Sequence, residues 1–320
     1  MQNAATLPKA DGAVRNGAGA LSPQQRQDWE RDGFLILPRF FGADVIDPIN
    51  ELITSLGDPQ RRPRELANRV VIDLLAGAAA SRRMRLADAP VEALKSPVKF
   101  NDLFLESDVI RACNLHPRLV PILDELLDGP PAVCNSLNFI QGSEQTDHID
   151  SWFMPPPAAD KMVVTSVCLE DVHPDAGPLV YYPGSHKIPP YRFSNGAIRA
   201  IDAEMPSCHD YVDGEIKKRG LSRQTFIGRK GDVFIWACQL AHGGSPINDP
   251  KRTRRSLVTH YWRAGDMARH KLDSYGEGFY FAKDHQSIPS HPLWLRLASR
   301  ARLEAWWGLR LLKGVVAGRP

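Results

Sequence analysis

The apolar positions of this chain change their main period near residue 130. Up to Leu127 they fall at helical spacing between turn residues, and from Ala132 onward they gather into short β-branched and aromatic runs. Ser22-Pro23 offers a helix cap followed by proline at the first helical position, which predicts a helix through Trp29 that stops at Gly33. Phe34 to Pro38 then reads as a strand, and Asp44 as the cap of a helix running through Ile53. Leu103 to Leu127 predicts one or two further helices around the break at His116-Pro117. The strands follow: Val133 to Gln141, Lys161 to Leu169, Leu179 to Tyr182, Asp232 to Cys238 and Ser256 to Trp262. Helices first and strands later predicts an α+β fold rather than an alternating parallel sheet.

Three stretches lack this patterning. Asp58 to Asp102 and Ala264 to His291 carry no readable chemistry, although such segments could build a substrate pocket. Pro189 to Gly228 reads as a long polar insertion of the kind that forms a lid, with His209-Asp210 as an exposed, solvated pair. Pro292 to Lys313 regains a clear period. Trp294, Leu297, Ala298, Ala301, Ala305, Leu309 and Leu312 share one helical face, while Arg296, Arg300, Arg302, Arg310 and Lys313 fall largely on the other, and Leu303, Trp306 and Trp307 interrupt it. Such a basic amphipathic helix suits either contact with the protein's own body or a second copy, or an anionic membrane surface.

Composition narrows the class. With 320 residues, 43% hydrophobic and 24% charged, the chain can bury one large core. A net charge of +3 without a concentrated basic stripe argues against nucleic acid as a partner. The five cysteines, Cys113, Cys134, Cys168, Cys208 and Cys238, are odd in number and contain no Cys-x-x-Cys pair, so reduced, structural thiols are expected. Residues 1–20 lack the apolar core of a signal peptide and read as a disordered Ala/Gly-rich tail. The expected organisation is therefore a tail over 1–20, one catalytic domain over 21–291 and a C-terminal helix over 292–320, in a cytoplasmic protein that acts on a small molecule.

The chemistry sits in Gln145-Thr146-Asp147-His148-Ile149-Asp150, answered far downstream by Leu240-Ala241-His242-Gly243-Gly244. Histidine and aspartate two residues apart on a strand share one sheet face, so a single ion could take both and a third ligand from a distant strand. Two histidines and one carboxylate with open positions is the arrangement of non-haem Fe(II) oxygenases. After the turn Ser245 to Asp249, Arg254 and Ser256 alternate onto one face of a strand, where a guanidinium and a hydroxyl suit the distal carboxylate of a dicarboxylate co-substrate.

Together with Gly177-Pro178-Leu179-Val180-Tyr181-Tyr182-Pro183-Gly184-Ser185-His186-Lys187, these motifs resemble the phytanoyl-CoA dioxygenase family of 2-oxoglutarate-dependent oxygenases, in the family's order and over Ser22 to Trp262. The resemblance implies a double-stranded β-helix, the cupin-like jelly roll, with helices packed on one sheet. It implies that His148, Asp150 and His242 hold Fe(II) and that Arg254 binds the 5-carboxylate of 2-oxoglutarate, with Arg252 and Arg255 as competitors. Ser256, Asn138, Thr165 and Trp152 are the further candidates around the co-substrate. His186 is expected to serve its turn and not to touch iron. The activity implied is O2-dependent hydroxylation of an unactivated C–H bond in a small-molecule or acyl, lipid-like substrate, with succinate and CO2 as co-products. In the related halogenases a small residue replaces the aspartate, and here Asp150 is present, which favours hydroxylation. The competing class is a jelly-roll protein that binds a small molecule or sugar without turnover, its histidines structural or holding a non-redox metal.

Overall fold

In a computed structural model the chain is described over residues 19–75, 82–95 and 97–316. The expected tail lies outside the described residues as far as residue 18, as do residues 317–320 of the C-terminal segment. Helix α1 (Pro23–Asp32) starts where the cap predicts: the Ser22 hydroxyl accepts from the Gln25 backbone, the Gln25 side chain accepts from the Ser22 backbone, and Gly33 at φ 78° closes the helix. Strand β1 (Phe34–Leu37) leads to α2 (Ala43–Gly57), which turns Ile46, Ile49, Ile53 and Leu56 inward. Gly42 occupies the cap of α2. Asp44 sits instead in the first turn, where a carboxylate favours the positive end of the helix dipole.

Asp58 to Asp102, featureless in sequence, contains helix α3 (Arg64–Arg69) and three short strands, β2 (Val71–Leu74), β3 (Arg82–Arg85) and β4 (Val98–Asn101). Helices α4 (Asp108–Asn114) and α5 (Val120–Leu127) flank the His116-Pro117 break. Strands β5 (Pro131–Phe139), β6 (Met162–Cys168) and β7 (Leu179–Tyr181) follow. The polar insertion holds helix α6 (Met205–Lys218), whose buried Cys208, Val212 and Ile216 recur at four-residue spacing, so it is an ordered element and not a bare loop. Then come β8 (Gln224–Phe226), β9 (Val233–Ala237), β10 (His242–Gly244), β11 (Ser256–Arg263), β12 (Leu272–Tyr275), β13 (Gly278–Phe281) and α7 (Leu293–Val316).

These strands make an α+β double-stranded β-helix. A ten-stranded sheet runs β1-β9-β6-β11-β5-β4-β2-β3, with β13 added parallel to β5 and β12 beyond it, and a three-stranded sheet runs β10-β7-β8. Strand alternation divides the large sheet between two cores. Val163, Val167, Val233, Ile235, Leu257 and Tyr261 face outward into the core covered by α2, α4 and α5. Met162, Val164, Cys168, Phe234 and Trp236 face inward against Tyr181 and Phe226 of the small sheet. The pairing of β5 with β11 slips by one residue between His260 and Tyr261. This bulge sends Val133 to the outer core and Asn135 into the interior cavity, although the two are only two positions apart. Among the described residues no helix is long and apolar enough to cross a membrane.

Asp102 ties the outer core to the cavity. It is fully buried in the left-handed region at φ 53°, and its carboxylate accepts from Asn135 Nδ2 at 2.9 Å, the Ser136 backbone at 3.1 Å and Lys283 Nζ at 2.8 Å. Asn135 and Lys283 both line the cavity. Replacing Asp102 by alanine strands a half-buried cation and two donors, so Asp102→Ala is expected to cost about 3–5 kcal/mol of folding stability in urea denaturation.

Candidate metal centre

The candidate ligand residues His148 and His242 are brought together by their own backbones. His148 N–H donates to His242 O at 2.7 Å and His242 N–H donates to His148 O at 3.0 Å, an isolated antiparallel bridge between two distant segments. Close approach requires glycine beside it: a Cβ on Gly243 would lie 2.4 Å from Asp147 Oδ1 and 2.9 Å from Gln145 O. Ser185 of the Pro-Gly-Ser-His turn supports the same junction, its hydroxyl accepting from Ala241 N–H at 2.9 Å. His186 packs against Gly33 and is not in the ligand cluster, as its turn position predicts. Asp150 does not continue a strand as expected. It opens a short 3-10 helix, Asp150–Trp152, whose turn swings the carboxylate beneath both imidazoles.

His148 Nε2 and His242 Nε2 each lie 3.7 Å from Asp150 Oδ1, and the three ligand atoms fall within 4.8 Å of one another with all three residues buried. The Nδ1 atoms face backbone carbonyls, His148 toward Thr146 O at 2.8 Å and His242 toward Leu240 O at 2.9 Å. A carbonyl only accepts, so each Nδ1 carries a proton and each Nε2 is the atom turned to the common point, the orientation a metal ligand needs. Burial pushes the His242 imidazole down to about 4, which keeps it neutral at pH 7. Burial works to raise the Asp150 carboxyl, but the imidazoles of His242, His148 and His260 overcome it and hold the group well below the usual carboxylate range. The other carboxylate oxygen accepts from Trp236 Nε1 at 2.8 Å. Trp236→Phe keeps an aromatic ring and removes this bond, so Fe(II) affinity is expected to fall roughly 10–100-fold in a competitive metal titration.

The centre opens into a cavity of about 540 Å³ that also receives Arg254 and His260. Arg254 is buried, its Nε has no hydrogen-bond partner, and burial pushes the guanidinium down to about 10. Ser256 opens β11 two residues later, its buried hydroxyl also unpartnered, though it does not itself line the cavity. The competing arginines point elsewhere: Arg252 pairs with Asp249 at 3.1 Å in the turn, and Arg255 reaches Thr54 Oγ1 at 3.2 Å on the helix side. A buried cation without an anion is costly, and a dicarboxylate entering this cavity would relieve it.

Three candidates fall away from the cavity. Asn138 lies between the cavity-lining Leu137 and Phe139 and therefore alternates to the opposite sheet face. Thr165 also belongs to the outer face, its hydroxyl directed at Tyr261 Oη at 3.5 Å. Trp152 packs with Ile188, Phe193 and Val212 under α6 and faces His209 at 5.5 Å, because the 3-10 turn after Asp150 breaks the strand alternation that would have turned it inward. Its neighbour Phe153 lines the cavity instead. The sequence reading omitted His260, whose Nε2 lies 3.4 Å from Asp150 Oδ1 and whose Nδ1 is buried without a partner. Its parity with Arg254 and Ser256 on one strand was the available signal. Arg83, Lys99 and Lys283 add positive charge to the wall, the first two paired with Asp73 at 2.8 and 3.2 Å.

Residues 29–256 match the phytanoyl-CoA dioxygenase (PhyH) family. Among solved structures, the non-heme alpha ketoglutarate dependent carbocyclase SnoK from nogalamycin biosynthesis aligns with a TM-score of 0.56 at 17% identity, over 77% of this chain and 87% of that one. The epimerase SnoN, in complex with Fe3+, alpha ketoglutarate and nogalamycin RO, gives 0.55 at 17% identity over 81% and 98%. EctD from S. alaskensis with 2-oxoglutarate and 5-hydroxyectoine gives 0.53 at 18% identity over 81% and 83%. No curated protein matches the chain.

Proposed function

Because the chain belongs to the phytanoyl-CoA dioxygenase family, and is thus a 2-oxoglutarate-dependent oxygenase, we propose that it hydroxylates an unactivated C–H bond of a small-molecule or acyl substrate in the cavity bounded by His148, Asp150, His242 and Arg254. The observation that carries this reading is the convergence on one cavity of a buried His-Asp-His cluster with a buried guanidinium that makes no ion pair among the described residues. The residues fit both groups the family uses. Two imidazoles and an ionised carboxylate suit Fe(II), and Arg254 with Ser256 suits the distal carboxylate of 2-oxoglutarate. When bound, iron, 2-oxoglutarate and O2 supply the oxidising power for C–H attack, with succinate and CO2 as co-products.

The protein's own part is positional. The carbonyls of Thr146 and Leu240 fix the two imidazole rings, and Trp236 fixes Asp150, so the ligand set is preorganised. Arg254, with Ser256 two residues on in the chain, would hold the distal carboxylate of the co-substrate in the cavity that the His-Asp-His cluster lines. Leu137, Phe153, Met154, Leu179 and Val258 give the cavity an apolar wall against the substrate and keep water from the reacting carbon. Aspartate at position 150 occupies a ligand place that a halide would need, which supports hydroxylation. The similar structures SnoN and EctD were solved with nogalamycin RO and 5-hydroxyectoine, which supports a small-molecule substrate. Five buried, unpaired cysteines support a reducing compartment, the cytoplasm.

Anaerobic addition of Fe(II) and then 2-oxoglutarate tests the reading. A weak visible charge-transfer band is expected only with both present, and O2 should then convert 2-oxoglutarate to succinate. A protein that bound a ligand without turnover would give neither signal.

A further inference from the structure

Four cations line the catalytic cavity, Arg83, Lys99, Lys283 and Arg254, and among the described residues Asp150 is the one carboxylate that does. Strand register places the first two. Asp73 lies opposite Arg83 of β3 and opposite Lys99 of β4, and Lys99 lies opposite the cavity-lining Phe139 of β5, so the three charged side chains form a row on the cavity face of the sheet. Asp73 accepts from Arg83 Nε at 2.8 Å and Nη2 at 3.0 Å, and its other neighbour, Lys99 Nζ, lies at 3.2 Å. The short side chain stays at the sheet while the two long ones close over it. Lys283 is backed in the same way, donating from Nζ to Asp102 at 2.8 Å. The side chains of Arg83, Lys99 and Lys283 are 27%, 19% and 16% exposed, against 3% for Asp73 and 0% for Asp102, so these pairs turn their cationic ends to the cavity.

The balance of charge selects what else the cavity takes. Burial works to raise the Asp73 carboxyl, but Arg83 and Lys99 overcome it and hold the group below the usual carboxylate range, so it is ionised at neutral pH. The charges of a ferrous ion and of Arg254 are matched by Asp150 and the two carboxylates of 2-oxoglutarate. Arg83, Lys99 and Lys283 then face two carboxylates, Asp73 and Asp102, and one positive charge is left over. Asp284, the next carboxylate along the chain from Lys283, lines a neighbouring cleft and not this cavity. An uncompensated cation shielded from water is costly, and a ligand that brings one negative charge removes that cost. A carboxylate brings one, whereas a phosphate monoester brings about 1.5 to 2 at pH 7. Leu137, Met154 and Val258 leave an apolar wall for the rest of such a ligand.

We propose that the substrate is a small carboxylic acid, its carboxylate on the wall formed by Arg83, Lys99 and Lys283 and its apolar body toward the metal centre. The inference rests on the catalytic reading for the places of iron and 2-oxoglutarate, and adds to it the class of substrate. The carboxylates behind the wall hold the cations in place without using them up, since an ammonium has three protons and Lys283 gives one to Asp102.

Calorimetric titration without oxygen tests the proposal with two matched pairs of probes, octanoate against octanamide and phenylacetate against phenylacetamide. They are added to the parent protein saturated with Fe(II) and 2-oxoglutarate, where the co-substrate fills the Arg254 site, and to the metal-free Arg254→Leu protein, where that site is removed. In both preparations an acid is expected to bind about tenfold or more tightly than its amide, the advantage of a charge-assisted over a neutral hydrogen bond. Arg83→Gln and Lys283→Gln should each erase most of that preference, and Arg83→Lys should keep it. The buried carboxylates retain neighbours in these variants, Asp73 in Lys99 and Asp102 in Asn135 and the Ser136 N–H, and circular dichroism checks the fold. Equal binding of acid and amide in both pairs, or binding of neither, overturns the proposal. So does tighter binding of inorganic phosphate than of either acid, which would assign the wall to a dianion. A rise of about tenfold in the 2-oxoglutarate requirement of Arg83→Gln also overturns it, by assigning the wall to the co-substrate. If the iron–2-oxoglutarate band never forms, the catalytic reading fails, while the metal-free titration still reads the wall.

Discussion

Replacement of His242 by alanine, or of Asp150 by alanine, is expected to abolish the iron–2-oxoglutarate band and succinate formation while leaving the protein folded. Each removes one of three ligands from a site whose members lie within 4.8 Å of one another, so the loss of Fe(II) affinity should exceed the roughly 100-fold upper range for losing an outer partner. The two variants should differ in the apo state. Asp150→Ala removes a buried carboxylate held by three imidazoles and by Trp236, leaving the Trp236 Nε1–H without its acceptor. His242→Ala removes a neutral ring whose backbone bonds to His148 remain. Isothermal titration with Fe(II) and a thermal melt check both claims, and a parent-like band in either variant would refute the ligand set.

Arg254→Leu should separate binding of the co-substrate from binding of the metal. Truncating one member of a buried charge pair costs roughly 2–5 kcal/mol, and each 1.4 kcal/mol is tenfold in affinity. The 2-oxoglutarate concentration giving half of the band should therefore rise about 100-fold, with Fe(II) affinity little changed. Arg254→Lys should recover only part of this, since an ammonium keeps the charge and loses the planar fork. Without co-substrate the leucine variant should melt no lower than the parent, because it removes a buried cation that makes no ion pair among the described residues. Added 2-oxoglutarate should then stabilise the parent and not the variant. Arg252→Leu and Arg255→Leu alter exposed contacts and should behave like the parent. A larger shift in either of them would move the assignment.

How much of this was legible in sequence depended on local codes. Ser22, Pro23 and Gly33 mark the limits of α1 because capping chemistry is local, and β5, β6, β9 and β11 are legible because each buries a long β-branched or aromatic run. Strands β2, β3 and β4 were not, since four residues carry too little period and their pairing is set in turn by β5 on β4, β4 on β2 and β2 on β3. The cluster of His148, Asp150 and His242 could be read from spacing, and the place of Arg254 in the same cavity from its alternation with the strand that follows. Parity misled wherever the backbone departs from a regular strand. The 3-10 turn at Asp150 carried Trp152 out of the cavity, and Asn138 and Thr165 could be assigned a face only once the register of β5 and β6 against β11 was known. The α7 stripe was legible as a pattern, but its outward direction depends on the dock made by Trp307 and Arg310.

The bridge between positions 148 and 242 is made of main-chain amides and carbonyls, so the clasp that shapes the iron site does not consist of the groups that bind iron. Oxidative damage to an imidazole, or chelation of the ion, leaves the clasp fastened. An emptied protein should therefore be rechargeable, and should take Co(II) or Ni(II) in place of iron as a spectroscopic reporter without first having to refold.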